Sequence, residues 1–346
     1  MMHSFPWKTK GIVLTAPQPY KNEVATVAEF IERVLAPAGV NLVVLQVRYR
    51  YQFKKHPECQ GFDPLSYDDV KLLLNTCRRN GIRLIPKMNL LGHQSGLHNT
   101  PPDGILHGHP KEGIPDFPDG LLRAYPFLDE TPEKETVVYA RSLCPTHPLL
   151  PSILFDLIDE LLDVFEADAM HIGCDEAMML GECPRCRGTE PHILFANYIK
   201  MLCDHLASRG AQAMMWTDRL LHHTESGYNC VYEASANGTD KAIELVPKSL
   251  LCCDWHYGKA ESYRSVDIFA DHGLRMMICP WKNVENTKRF LNYALEHDRG
   301  HIEGYLQTTW CSSGELARYF LYGEEPLWKP QTPLLIQVMK EVFLPL

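Results

Sequence analysis

Two acids, Asp175 and Glu176, stand side by side at the end of the short run Ala-Met-His-Ile-Gly-Cys-Asp-Glu, residues 169–176. The run is too short for a helix and is bounded by turn chemistry, so it reads as a buried strand. Carboxylates where a buried strand emerges are costly to remove from water unless they are paired or used. Proton transfer to a bound molecule is one such use. The alternative is a helix N-cap, with the two acids opening the next helix. Other polar and aromatic groups end neighbouring apolar runs. His93 follows the third run, and Trp216 and Asp218 the fifth. Asp254, Trp255 and Tyr257 follow the sixth, Trp281 the seventh and Trp310 the eighth.

The elements that would position these groups alternate in type. Apolar runs at 11–17, 41–47, 82–90, 169–174, 212–216, 250–253, 274–279 and 301–306 read as strands. Between them, helical spacing predicts helices at 23–35, 66–79, 151–166, 191–209, 241–246, 262–272 and 286–298, with a last one at 331–343. In the third of the strand–helix intervals, Ile153, Leu154, Leu157, Ile158, Leu161, Leu162 and Phe165 make an i, i+3, i+4 apolar stripe. Strict alternation implies parallel strands with helical crossovers, and eight units in 346 residues fit a single α/β domain, a (β/α)8 TIM barrel. A doubly wound open sheet is the alternative, and no Gly-x-Gly-x-x-Gly follows the first strand to support it. Residues 91–147 hold Gly, Pro, His and aromatics with little periodicity, so a long loop insertion is expected after strand 3, as a lid or substrate wall. No internal repeat or second-domain boundary is visible in residues 1–346.

Composition excludes other classes. Apolar residues make up 45% of the chain and charged residues 22%, enough for a sizeable core. A formal net charge of -9, with no dense Lys/Arg stripe, argues against a nucleic-acid partner. No apolar run approaches the roughly 18 residues of a membrane span. The first ten residues lack the apolar region of a secretory signal, and the 12 cysteines fall largely in apolar runs. Both features fit reduced core thiols and a cytoplasmic location.

In a barrel of this kind the active site lies at the C-terminal ends of the strands. Four of the six tryptophans end four consecutive strands. A lone Trp there is more often core, but four on one face make an aromatic box. Such a box with carboxylates at its floor suits a sugar, whose C–H faces stack on rings while acids and a Tyr hydroxyl meet its hydroxyl groups. Two acids then suggest glycosidic cleavage. Adjacent acids make sense when one acts on the leaving oxygen and the other on a group carried by the sugar itself.

His171-Ile-Gly-Cys-Asp-Glu176 resembles the His-x-Gly-Gly-Asp-Glu motif of family 20 glycoside hydrolases, the β-N-acetylhexosaminidases. Gly81–His93 is similar to that family's third-strand signature, which ends in Pro-Gly-His. Met215-Trp-Thr-Asp218 and Cys279-Pro-Trp281 resemble its fifth and seventh strand ends. The resemblance spans about residues 40–315 and is nearest to the compact hexosaminidase D-like branch. It implies a retaining exo-β-N-acetylhexosaminidase acting on terminal GlcNAc or GalNAc, in which the substrate's own 2-acetamido oxygen is the nucleophile. Glu176 would be general acid and base, and Asp175 would hold the acetamido N–H. His93 would hydrogen-bond near the acid, Trp216, Trp255 and Trp281 would wall the acetamido pocket, and Trp310 would lie under the ring. Asp218 joins this substrate-binding set, and Tyr257, by position, is the candidate to bind the acetamido oxygen. No cofactor and no catalytic metal are implied.

The sequence departs from the family at three points. The family's first strand ends in an Arg for the sugar 3- and 4-hydroxyls; residues 11–18 hold none, which leaves Arg48 after strand two as the substitute. The closing Trp-Gly-Glu is replaced by Trp310-Cys-Ser-Ser-Gly-Glu315, and Cys174 stands for a Gly or Ala. Rival readings are a non-catalytic amino-sugar-binding barrel and a transglycosylase or phosphorolytic variant. Cys183-Pro-Arg-Cys186 has zinc-knuckle spacing that His56 and Cys59 could complete, with free thiols the alternative. His107-Gly-His109 is similar to the His-x-His of metal-dependent amidohydrolase barrels, but sits in the long loop rather than after strand one. Sugar preference, aglycone and oligomeric state, homodimer included, stay open.

Overall fold

Each apolar run forms one strand: β1 (Thr9–Thr15), β2 (Leu42–Gln46), β3 (Arg83–Lys87), β4 (Ala169–His171), β5 (Gln212–Trp216), β6 (Leu251–Trp255), β7 (Arg275–Cys279) and β8 (Ile302–Gln307). Each pairs in parallel with the next, and β8 returns to β1, so the sheet closes into the expected (β/α)8 barrel. The computed structural model describes residues 5–96, 117–118, 120–134, 140–228, 232–258, 260–327 and 331–346; His107 and His109 lie outside them.

Side chains alternate between two cores. Val13, Val44, Ile85, Met214, Leu251, Met277 and Leu306 fill the barrel interior. Ile12, Leu14, Val43, Leu45 and Leu84 point outward under the helices. Both faces of every strand are therefore apolar, which is why the runs are continuous rather than alternating. The flanking helices carry their own stop and start signals. Ser66 and Asp69 make a reciprocal capping box for Tyr67–Arg79, Asn283 accepts from the Asn286 N–H ahead of Val284–His297, and Pro191 opens Pro191–Ser208.

The connection after β3 is as long as expected. Its described parts hold a two-residue antiparallel ladder (Ser95–Gly96 with Phe117–Pro118), a short helix at Gly120–Ala124 and a single turn at Pro126–Leu128. Some elements differ from the expectation. The first helix is regular only over Glu23–Phe30 and then widens, with the Ala36 N–H donating to the Ile31 carbonyl 2.9 Å away. The short helix expected at 241–246 is a tight turn at Asp240–Glu244. A helix at Ser313–Tyr322, capped by Ser312, had not been expected, because its Ser-Ser-Gly start looks like a loop.

β4 ends at His171, three residues before the expected boundary, because the chain turns left-handed. Gly173 has φ 70° and Cys174 φ 66°. A Cβ on Gly173 would lie 2.7 Å from the Asn89 Cα, so a side chain is excluded both by backbone conformation and by space. Gly81, which ends the Tyr67–Arg79 helix with φ 68°, has nothing within 4 Å of an added Cβ. Gly81→Ala is therefore expected to cost only the left-handed strain, about 1 kcal/mol. Gly173→Ala should cost at least about 2 kcal/mol more, since backbone must also move. Urea unfolding of the two variants checks this ordering; equal losses would contradict it.

Candidate active site

The left-handed turn after β4 aims consecutive residues at the barrel mouth. Glu176 has φ 48°, and Arg48, His93 and Trp310, at the ends of β2, β3 and β8, are also left-handed. These are uncommon conformations for residues with a Cβ, and here they gather around one cavity. Asn89, just past β3, holds the turn from one side. Its amide oxygen accepts the Cys174 N–H at 2.9 Å, and its amide nitrogen donates to Asp175 Oδ1 at 2.6 Å. From the other side, Asp218 Oδ2 accepts the Glu176 N–H at 2.9 Å.

His93 Nε2 faces both acids, 3.1 Å from Asp175 Oδ2 and 2.9 Å from Glu176 Oε2. Burial alone would push the imidazole down, but the Asp175 charge and the bonds to both carboxylates outweigh it and lift His93 to about 9. Burial would likewise raise Asp175; the His93 charge and hydrogen bond, with Lys87 behind them, hold it below the usual carboxylate range. Asp175 is thus an anion at neutral pH beside an imidazolium. The three groups are close enough to hold a cation. An imidazolium donating to both carboxylates accounts for that spacing without one.

The cavity they face measures about 390 Å³, within the ~300–1,000 Å³ typical of small-molecule sites. Trp216, Trp255, Tyr257, Trp281 and Trp310 wall it, together with Arg48, His93, Asp175 and Glu176. The rings brace one another. Trp310 Nε1 donates to Tyr257 Oη at 2.7 Å, the Tyr257 and Trp281 centroids are 5.1 Å apart, and Trp281 Nε1 donates to the Thr309 carbonyl at 3.0 Å. The Arg48 guanidinium donates to the His93 carbonyl at 3.1 Å, which ties the ends of β2 and β3.

Asp218, grouped by sequence with the residues that touch substrate, lies instead behind the cavity wall. Its side chain is fully buried and accepts from the Glu176 N–H, from Arg219 Nε at 2.7 Å and from Trp255 Nε1 at 3.3 Å. Burial raises its carboxyl to about 6 against the pull of Arg219. The geometry makes it a positioning residue for Glu176 and Trp255.

Gln46, Lys87, Asn89, Tyr232, Glu233, Lys282 and Gln331 also line the cavity and went unnoticed in the sequence. For Gln46 and Lys87 a signal was present: each is a polar residue inside an apolar strand. Lys87 Nζ donates to Gln46 Oε1 at 3.0 Å and sits 5.6 Å from the ring centroids of both Trp216 and Trp310, with burial lowering it to about 8. Glu233 accepts from the Tyr257 and Gly258 N–H groups at 2.8 and 3.0 Å and faces His256 at 3.3 Å. His256 in turn faces Asp254 at 3.0 Å, which fixes the β6 end that carries Trp255 and Tyr257.

Fold and cavity together define a (β/α)8 barrel with an adjacent carboxylate pair on an aromatic-walled floor. The profile of the glycosyl hydrolase family 20 catalytic domain matches residues 45–292, and the chain belongs to that family. Among curated proteins it is 23% identical over 236 residues to a lacto-N-biosidase of Bifidobacterium bifidum, covering 61% of this chain and 19% of that protein. It is 26% identical over 122 residues to a beta-hexosaminidase of Akkermansia muciniphila, covering 34% of this chain and 21% of that protein. The chain thus spans about a fifth of the length of these relatives. Among solved structures, a β-N-acetylhexosaminidase of Bacteroides fragilis superposes with a TM-score of 0.60 at 17% identity, over 88% of this chain and 60% of that one. A Vibrio harveyi exo-β-N-acetylglucosaminidase in complex with N-acetylglucosamine gives 0.64 at 14% identity, over 97% and 58%. At these identities the likeness is one of fold.

The His93 bridge has a pH signature. The folded value of about 9 lies above the ordinary 6.5, so its stabilisation is full below about pH 6.5 and is lost as pH rises through about 9. His93→Gln is expected to lower stability by about 2 kcal/mol at pH 6, with the gap closing by pH 10. Denaturant unfolding at the two pH values reads this out, and a gap that widens with pH would contradict the bridge.

Proposed function

We propose that the chain is a retaining β-N-acetylhexosaminidase that removes a terminal β-linked N-acetylhexosamine with the help of the substrate's own 2-acetamido group. The observation that carries this reading is the placement of Asp175 and Glu176 on a single turn, bridged by His93. Retaining enzymes with a protein nucleophile set their two carboxylates about 5–5.5 Å apart across the scissile bond. Neighbours on one turn present to one side of a bound sugar, so the nucleophile has to come from elsewhere. Glu233, a further carboxylate at the cavity, is held by two backbone N–H groups and His256 and is not presented as a nucleophile.

Glu176 gives its proton to the glycosidic oxygen as the bond to C1 breaks. The acetamido oxygen forms the new bond to C1, and positive charge spreads over the resulting oxazolinium ring. Asp175, ionised beside His93, accepts the acetamido N–H and stabilises that charge. A water then attacks C1 while Glu176, now a carboxylate, takes its proton; the ring opens and both groups return to their starting states. The tryptophans exclude bulk water and set the sugar plane, and Tyr257 donates to the acetamido oxygen, a reading supported by its hydroxyl accepting from Trp310 Nε1 and so keeping its own proton to give.

The test is release of nitrophenol from β-linked N-acetylglucosaminide and N-acetylgalactosaminide. Native turnover is expected, with losses of about 10²-fold or more in both Glu176→Gln and Asp175→Asn. A thiazoline analogue of the cyclised intermediate should inhibit the native protein and bind Asp175→Asn far more weakly. Binding of either sugar without turnover would favour a non-catalytic barrel. Release of a disaccharide but no monosaccharide would place the specificity with the lacto-N-biosidase relative.

A further inference from the structure

Away from the cavity, three cysteines and a glutamate meet in the interior. Cys144 Sγ lies 3.4 Å from Cys183 Sγ and 3.6 Å from Cys186 Sγ. Glu130 brings a carboxylate oxygen into the same cluster, in which all four ligand atoms lie within 4.8 Å of one another. All four residues are buried. This is not the ligand set that the sequence suggested for Cys183 and Cys186. His56 is engaged with the Tyr125 hydroxyl at 2.8 Å and with Asp156 at 3.3 Å, and Cys59 is buried outside the cluster.

We propose that Cys144, Cys183, Cys186 and Glu130 form a structural zinc site. Zinc takes four-coordinate tetrahedral sites of thiolate and carboxylate ligands, with Zn–S near 2.3 Å, which puts tetrahedral sulfurs about 3.8 Å apart. The two sulfur separations given above already approach that value before any ion draws the groups together. Cys183-Pro-Arg-Cys186 is folded as a turn suited to two-point ligation: the Cys186 and Arg187 N–H groups both donate to the Cys183 carbonyl, at 3.1 and 2.9 Å. Thr146 Oγ1 sits 3.2 Å from Cys186 Sγ, within reach to donate to a thiolate and orient it.

Glu130 supplies an independent sign. One oxygen accepts from the Gly181 and Glu182 N–H groups at 2.7 and 2.9 Å. The other, Oε2, is buried without a hydrogen-bond partner. A buried, half-satisfied carboxylate among three thiols is expensive, and a divalent cation satisfies every member at once. A Cys144–Cys183 disulfide would leave Cys186 and that oxygen as they are. Soft sulfur ligands in a closed, buried tetrahedron select zinc over magnesium or calcium. The site would staple Glu130 and Cys144, from the long β3–β4 connection, to the loop that also carries Asp175 and Glu176. That connection also carries His93, so the staple would hold both sides of the His93 bridge.

Elemental analysis of the native chain, produced with zinc in the medium and dialysed without chelator, is expected to find one zinc per chain. Cys144→Ser and Glu130→Gln should lower that content and the thermal midpoint, whereas Cys59→Ser should keep the metal. Cobalt exchanged into the native protein should give the intense visible bands of a tetrahedral site and a thiolate charge-transfer band, weakened in Cys186→Ser. A metal content well below one per chain in the native protein overturns the site, whether thiol counting then finds a disulfide or free thiols. Full metal retention by Cys144→Ser overturns this ligand set. Because the native measurement needs no variant, a variant that fails to fold does not blunt the test.

Discussion

The site turns on one hydrogen-bonded arrangement: the His93 imidazolium set between the Asp175 carboxylate and the Glu176 side chain. Two adjacent acids with little access to water repel each other, and one would have to take up a proton if nothing balanced them. A single cation donating to both changes that balance. It keeps Asp175 anionic, which is the state the proposed mechanism needs of a group that stabilises developing positive charge. In the proposed mechanism proton transfer falls to Glu176. The surrounding groups serve the same balance. Asn89 donates to Asp175, and Asp218, itself neutralised by Arg219, takes the Glu176 N–H. Lys87 adds a second buried cationic group close by, lowered to about 8 by its burial.

Holding two consecutive side chains toward one cavity is not something a strand does, because successive residues point to opposite faces. The chain meets this constraint by leaving the strand early and entering the left-handed region at Gly173, Cys174 and Glu176. Such conformations persist only where their surroundings over-determine them. Here the β3 end supplies that support, with Asn89 on the Cys174 N–H and the Leu90 N–H on the Ile172 carbonyl at 3.0 Å. β5 adds the Trp216 N–H on the Gly173 carbonyl at 3.1 Å. Cys174, where the resembling motif has a small residue, is fully buried in this turn with its Sγ on the Ile172 carbonyl at 3.4 Å.

The barrel could be read from the chain because its strands are buried on both faces. Continuous apolar runs alternating with amphipathic stripes have few other solutions. The acid pair and the tryptophans were legible for the same reason, since each ends such a run. What escaped was set by contacts that periodicity does not encode. Asp218 looked like a ligand-binding acid because it follows Trp216; only the packing of Arg219 and Trp255 around it makes it a support. Tyr232 and Glu233 reach the cavity from an aperiodic stretch after β5, and Gln331 from the start of the last helix, places with no local signal of function. The Ser313–Tyr322 helix went unassigned because Ser312-Ser-Gly gives no clear start signal, capping residues and turn residues being the same few types.

The cysteines make the same point in reverse. Spacing alone identified Cys183 and Cys186 as a two-point ligand, and sequence offered His56 and Cys59 as the pair that could complete four ligands. The fold brings Cys144 and Glu130 instead, because the β3–β4 connection runs back along the β4 loop before the Leu150–Phe165 helix begins. The Cys144 N–H donates to the Leu128 carbonyl at 2.7 Å and the Glu130 N–H to the Ser142 carbonyl at 3.0 Å, so both residues are set by one antiparallel pairing within that connection. The described parts of that connection bury Leu121, Leu122, Leu128 and Leu143 in the common core, and the proposed site would add a polar anchor to that apolar one. An anchor at the loop that bears Asp175 and Glu176 would tie Glu130 and Cys144 to the geometry of the site, so that the connection also supports the turn.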